Sequence, residues 1–335
     1  MKLEKSLVLQ KYKSEIQNVE ISFTGFEHKT VYEVIEEFLG YKSSEQTKRA
    51  YRSDIKVFFD KIKVYYLKDL GFVPYHELVR LVLTHINSYK NVEKHRPDQV
   101  INPKTINRKA YALSAFFKFL INVYNYPKNP LNNFISLKEP KRSNTTSLTK
   151  SEIFELIEFL KKNIANSQID FRNYLIIMCL FSLALRRNEV ANLRWKDINL
   201  DRQSINVFQK GGTYKELPIP DNLLKLLFSF RSEYAKLSGY IFHPLVNNRT
   251  GVIDKPITAD LIFKIVKKII PKVIPDKKIT PHSFRKTFVE FALTNNQDFI
   301  SIINATGHSN IEMVKYYDTR DTLKNNAINQ MNSIF

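Results

Sequence analysis

A chain of 335 residues is long enough for two domains of ordinary size, each with its own core. Hydrophobic residues at 43% and aromatics at 13% exclude disorder throughout, and 52 Lys and Arg against 33 Asp and Glu leave a formal charge of +19, spread along the chain, that points to a polyanionic partner. The single cysteine, Cys179, sits in the apolar run YLIIMCLFSLAL, which excludes a disulfide framework or a thiolate zinc cluster.

In chain order, residues 1–27 form a lead-in with a strand expected around Val19 to Phe23. Their start, MKLEKSLVLQKYK, has no continuous apolar core for export, and the longest apolar run in the chain is about twelve residues, short of the ~20 that span a bilayer. The expected location is the cytoplasm, with no membrane partner. From Thr30 the periodicity predicts helices. Thr30 and Glu33 form a capping box ahead of the stripe Val34, Ile35, Phe38 and Leu39. A second helix from Ser44 carries Tyr51, Ile55, Phe58, Phe59 and Ile62 on one face and Lys48, Arg49, Arg52 and Lys56 on another. A third covers roughly His76 to Tyr89. The fourth follows Pro103, with Thr105 as cap, Ala110, Leu113, Phe117, Leu120 and Ile121 as its stripe, and Arg108 and Lys109 near its start. Residues 28–136 therefore read as an all-α domain whose basic faces are either solvated surface or a DNA-binding surface.

Residues 137–147, in LKEPKRSNTTS, break the periodicity and read as a linker. The capping box Thr149–Glu152, with Leu148 and Ile153 as a hydrophobic staple, opens a second domain over 148–320. Its expected elements are helices at 150–163 and 170–186, and a β-hairpin from Ser204–Phe208 and Glu216–Ile219 around Gly211-Gly212. Further helices follow at 221–236, 258–270, 282–295, 298–305 and 310–318. The fold class is mainly α with a small β-hairpin or sheet in the C-terminal domain.

Four places carry chemistry. Arg186 is read at the end of the apolar helix, in ALRRNEVANLRW, where its fork needs an anion: Glu189 one turn on, or a phosphate held by both. Lys210 stands at the hairpin tip in QKGGTYKE. Thr280-Pro281 starts a helix, so His282 and Arg285 share a face of its first turn, where free N–H groups and a guanidinium favour phosphate. Gly307-His308 is expected between two helices, with Ser309 and Glu312 capping the second and Tyr317 two turns into it beside Met313 and Val314. A tyrosine so placed is ordinarily core, and periodicity does not choose between Tyr316 and Tyr317. Taken together, two guanidiniums for the non-bridging oxygens and proton carriers for the apical ones suit an in-line attack on a phosphodiester, with no metal or other cofactor.

The ordered set ALRRNE, QKGGTYK, PHSFRKTF and TGH, with Tyr317 nine residues beyond His308, resembles the tyrosine recombinase (phage integrase) family, in particular its short, Xer-like bacterial members. The resemblance spans about residues 30–320. It implies a four-helix core-binding domain ahead of a mixed α/β catalytic domain. In the catalytic domain, Arg186 and Arg285 would clamp the scissile phosphate, Lys210 protonate the 5′-oxygen and His282 act as general base. His308 would hydrogen-bond the phosphate, Tyr317 form a 3′-phosphotyrosyl bond, and Glu189 buttress Arg186. It implies site-specific recombination of double-stranded DNA by four protomers on two duplexes. Ala184 stands where the family usually has Gly, Arg187 lies beside Arg186, Lys286 replaces a frequent His, and Lys215 is the reserve for Lys210. An apolar stripe of Leu323, Ala327, Ile328, Met331, Ile334 and Phe335 makes 321–335 a tail helix that packs on its own domain or on a neighbouring protomer. A type IB-like nicking-closing topoisomerase and a non-catalytic DNA-binding regulator are the alternatives.

Overall fold

The structure is a computed structural model that describes residues 28–90, 102–139, 145–209, 212–234, 238–244, 254–318 and 320. The expected strand near Val19, the hairpin-tip Lys210 and Gly211, and the tail 321–335 lie outside the described residues. The chain divides into two compact units, Met1–Pro140 and Lys141–Phe335.

The described part of the first unit contains α1 (Val31–Gly40), α2 (Glu45–Ile62), a 3₁₀ turn (Leu67–Phe72), α3 (Tyr75–Lys90) and α4 (Pro103–Tyr124). Thr30 caps α1 in a capping box with Glu33, and the Ser44 hydroxyl accepts from Thr47 N–H to start α2. The cap of α4 is Asn102 rather than Thr105: its side chain accepts from Lys104 N–H, and Pro103 takes the first helical position, where its missing N–H costs nothing. The apolar stripes meet in a ring-rich core, where Phe116 meets Phe38 and Phe59 edge-on, both with ring centroids 5.6 Å apart. Asn107 on α4 exchanges hydrogen bonds with the backbone of Leu137, so the first residues of the expected linker lie against this unit.

The second unit runs α5 (Lys150–Asn163), a 3₁₀ turn (Ile164–Asn166), α6 (Gln168–Ser182), α7 (Arg187–Ala191) and a 3₁₀ turn (Trp195–Asp197). Strands β1 (Ile198–Asn199), β2 (Ser204–Phe208) and β3 (Tyr214–Pro218) follow. Then come α8 (Asp221–Tyr234), α9 (Ala259–Ile269), a 3₁₀ turn (Ile270–Lys272), α10 (Pro281–Thr294), α11 (Phe299–Thr306) and α12 (Ile311–Lys315). The sheet is antiparallel in the order β1-β2-β3, with Ile205 opposite Leu217 and Val207 opposite Lys215. Strand alternation turns Ile205, Val207 and Leu217 into the core and leaves Phe208 and Tyr214 exposed. Lys215, opposite Val207, shares the inward face. Helix α6 crosses the core, as its unbroken apolar text predicts, with Leu175, Ile176, Cys179 and Leu180 fully buried. Burial pushes the Cys179 thiol up to about 12, which keeps it an inert apolar filler.

Two expected placements are corrected here. The apolar helix ends at Ser182, not at Arg186, because Ala184 takes a left-handed conformation with φ +48° and redirects the chain. Helix α12 is capped by Asn310 rather than Ser309 and ends at Lys315, so Tyr317 lies beyond it in a turn closed by its N–H to Val314 O at 2.9 Å. That turn buries Tyr317 to 4% exposure with Val314 while Met313 stays 42% exposed, so the expected shared face does not form. The entry of the second unit is pinned from α10: Lys286 Nζ donates to Thr145 O at 2.6 Å and Thr287 Oγ1 accepts from Leu148 N–H at 2.9 Å.

Candidate active site

Four segments of the second unit converge: the α6–α7 turn, the start of α10, the end of α11 and the turn after α12. Arg186 is the N-cap residue of α7. Its N–H donates to Glu189 Oε2 at 2.7 Å and its Nη1 to Oε1 at 2.8 Å, so Glu189, 4% exposed, holds both ends of the arginine. Of the two partners open to Arg186 from sequence, the carboxylate is therefore present, and Nη2 still reaches Gly307 O at 3.5 Å.

Thr280 and Pro281 begin α10 as their types dictate, with Ser283 Oγ accepting from Thr280 N–H at 3.1 Å. One turn in, Arg285 is 1% exposed yet, among the described residues, has no carboxylate in contact. Its Nη1 donates to Ala184 O at 2.7 Å, its Nη2 to Thr306 O, and its Nε to His308 Nε2 at 3.4 Å. A guanidinium so far from water is costly, and burial, followed by the charge of Arg186, brings its pKa down to about 10. His308 is held from its other side, where Nδ1 lies 2.8 Å from Thr306 Oγ1. Because that hydroxyl gives its own proton to Ile302 O at 2.6 Å, Nδ1–H is the donor and Nε2 keeps its lone pair toward Arg285. Burial and then Arg285 push His308 down to about 3, which agrees with a neutral ring.

His282 and Tyr317 meet at 2.7 Å between Nε2 and Oη, with ring centroids 5.9 Å apart. The His282 residue keeps an exposed edge, but burial of the ring, and then Arg285 and Arg186, lower its pKa and hold Nε2 free to accept the phenol proton. Tyr317 also lies beside His308, with centroids 5.7 Å apart. Lys215 reaches the same region, with Nζ donating to Ile303 O at 2.9 Å, and burial followed by Arg285 lowers its pKa. The centre is thus a cluster of positive charge with a neutral base against a phenol. Among the described residues, no three His, Cys, Asp or Glu side chains converge to hold a metal ion.

Five of the six basic residues expected to face DNA from the first unit have other partners close by. Lys48 pairs with Glu45 at 2.8 Å, and Arg52 grips Glu36 with two hydrogen bonds of 2.6 and 2.7 Å. Arg108 and Lys109 both hold the buried Asp54, Lys109 at 2.9 Å. Lys56 Nζ lies 5.0 Å from the Tyr32 ring, and Arg49 is exposed. What the sequence reading missed are the carbonyls of Ala184, Ile303, Thr306 and Gly307. Every residue has such a group, so no residue type signals it.

The profile of the phage integrase family matches residues 146–323, more than half of the chain. The chain belongs to the phage integrase family. The matched segment holds Arg186, Glu189, Lys215, His282, Arg285, His308 and Tyr317. Among curated proteins, the chain is 25% identical over 295 residues to the tyrosine recombinase XerD of Staphylococcus aureus, covering 85% of this chain and 92% of that protein. It is 26% identical over 280 residues to a tyrosine recombinase of Agathobacter rectalis, covering 82% and 85%. Among solved structures, the integrase of transposon Tn1549 in complex with transposon right end DNA matches with a TM-score of 0.64 at 18% identity, covering 91% of this chain and 99% of that one. A lambda integrase dimer bound to a core site matches with a TM-score of 0.61 at 14% identity, covering 87% and 96%. These last two share the fold, mostly helical with one small antiparallel sheet.

Proposed function

We propose that this chain is a site-specific DNA recombinase that cuts and rejoins duplex DNA through a 3′-phosphotyrosyl bond to Tyr317. The observation that carries the assignment of the nucleophile is the 2.7 Å contact between Tyr317 Oη and His282 Nε2 beside two guanidiniums. Tyr317 Oη gives its proton to His282 and forms a bond to phosphorus, while the bond from phosphorus to the 5′-oxygen breaks. The leaving 5′-oxygen takes a proton from Lys210, which the family resemblance makes the donor. Arg186 and Arg285 exchange carbonyl acceptors for the non-bridging phosphate oxygens, where charge accumulates in the transition state. The anion that arrives raises the proton affinity of His308, so that its Nε2 donates to the phosphate as well. Reversal with a 5′-hydroxyl of the exchanged strand rejoins the DNA, because the covalent bond conserves the energy of the cut one.

In this reading, residues 28–136 are the helical core DNA-binding domain, 148–320 the catalytic domain and 321–335 a tail that links protomers in a tetramer on two duplexes. The net charge of +19 and the DNA complexes of the Tn1549 and lambda integrases support duplex DNA as the partner, and the place of action in this reading is the cytoplasm. Among the described residues, no helix is long and apolar enough to cross a membrane.

The test is a pool of nicked suicide duplexes with randomised core sites, resolved on a denaturing gel. A covalent adduct with the native chain, absent from Tyr317→Phe, is the expected result. An adduct that survives the change assigns the wrong tyrosine, and no adduct from the whole pool favours the regulator. Adducts with supercoil relaxation but no exchange between two duplexes favour the topoisomerase.

A further inference from the structure

Three carbonyl oxygens at the C-terminal end of α11 accept from three different cations. Ile303 O receives Lys215 Nζ at 2.9 Å, Thr306 O receives Arg285 Nη2, and Gly307 O faces Arg186 Nη2 at 3.5 Å. All three lie at the C-terminal end of the helix, at the negative pole of its dipole. Two of the cations are the arginines of the proposed phosphate grip. The third is Lys215, the reserve for Lys210 as proton donor.

Its position is fixed from two sides. Pairing with Val207 turns Lys215 to the inner face of the sheet. Its acceptor, Ile303 O, also receives Gly307 N–H at 2.7 Å, the bond that closes the turn leading to His308. Gly307 adopts φ +66°, and a Cβ on it would lie 2.4 Å from Gln209 Nε2. The hairpin therefore meets the Gly307–His308 turn at two points: Gln209, just after β2, packs beneath the glycine, and Lys215 on β3 holds the helix end.

We infer that Lys215 is a positioning residue of strand cleavage, which fastens β3 to the Gly307–His308 turn so that His308 and the phosphate grip keep a fixed register. This rests on the recombinase reading. The competing role for the same ammonium is proton donation itself, and its lowered pKa makes that the reading to test against.

The experiment compares two nicked suicide duplexes carrying a cleavable site, one with an ordinary phosphodiester and one with sulfur in place of the 5′-bridging oxygen. The sulfur departs as a thiolate and needs no proton donor. Full-length native chain, Lys210→Met, Lys215→Met and Lys215→Arg are compared by single-turnover cleavage, with duplex affinity and thermal melting measured on each. Lys210→Met should regain native cleavage on the sulfur substrate. Lys215→Met should lose roughly 100-fold on both substrates, the cost of a misplaced reacting group. Lys215→Arg, whose guanidinium can hold Ile303 O but is too weak an acid to protonate a leaving group, should stay within about tenfold of native on both. Recovery of Lys215→Met or Lys215→Arg on the sulfur substrate alone would make Lys215 the acid and overturn the inference. Native cleavage by Lys215→Met on the ordinary substrate would also overturn it. If Lys215→Met does not fold, the behaviour of Lys215→Arg on the two substrates decides. Failure of the native chain to cleave either substrate counts against the recombinase reading itself.

Discussion

Arg285 donates through Nη1 to the carbonyl oxygen of Ala184 at 2.7 Å, and Ala184 presents that oxygen from a left-handed backbone with φ +48°. A Cβ in that region costs about 1–2 kcal/mol. Ala184 is fully buried, so Gly would relieve strain while losing the burial of one methyl, about 0.8 kcal/mol, and some entropy in the unfolded chain. The expected outcome for Ala184→Gly is a stability within about 1 kcal/mol of native and unchanged cleavage. Ala184→Val adds branching where φ is positive and should lose more than about 2 kcal/mol, with cleavage falling as Arg285 loses its acceptor. Urea unfolding and single-turnover cleavage of the two variants check this.

The pH dependence of cleavage follows from His282. Its Nε2 must be unprotonated to take the Tyr317 proton, and its pKa lies below the ordinary imidazole value of 6.5 because of burial and then of Arg285 and Arg186. The second-order rate of cleavage by the DNA-free enzyme should therefore hold as pH falls through 6.5 and decline only below it. His282→Ala should lower the rate roughly 10²–10⁴-fold and abolish that acidic limb. A limb that persists unchanged in His282→Ala would assign the base elsewhere.

Acid sensitivity of the fold has two further contributors. His308 is held down to about 3 and His85, buried against Phe58, to about 4, in both cases mainly through burial. Unfolding returns both to the ordinary 6.5, so in the window between, the unfolded chain binds more protons and stability rises with pH. The contribution is complete above about 6.5 and is lost as pH falls toward 4 and then 3. Denaturant midpoints measured from pH 7 to 4 should drop steadily, and His85→Leu should flatten the slope of the first unit's transition. An unaltered slope in that variant would place the proton uptake elsewhere.

Among the described residues, Gly307 is the one glycine whose side-chain absence matters twice, for its positive φ and for the close approach of Gln209. Gly307→Ala should cost about 1–2 kcal/mol and slow cleavage, since His308 follows directly. Adding Gln209→Ala removes the steric part only, because the backbone conformation stays left-handed. Recovery of full stability in the double variant would show that the conformation carries no strain.

Much of this architecture is legible from side-chain types. The capping boxes at Thr30 and Thr149 and the apolar stripes placed the first and fifth helices, because both signals are local and depend on few residues. Spacing also brought His282 and Arg285 to one turn. The failures share a cause. Arg186 reads as the end of an apolar helix because the residue type of Ala184 does not signal its left-handed turn, and α12 reads too long because Tyr317, in the turn beyond the helix, continues the period of Val314. The basic faces of α2 and α4 read as open charge, since Glu36 is remote in sequence from Arg52, and Asp54 from Arg108 and Lys109, although they are neighbours in space.

The Arg285 fork is already dry and fixed before any DNA is present, bound to two carbonyls and a ring nitrogen. The roughly 2 kcal/mol of rotamer freedom of an arginine side chain is thus surrendered once, when the chain folds, and not at each encounter with a substrate. The scissile phosphate meets a guanidinium that needs only to change acceptors. Changes to this cluster should register in the unfolding equilibrium as well as in the cutting rate, so folding measurements can rank site variants before a DNA target is known.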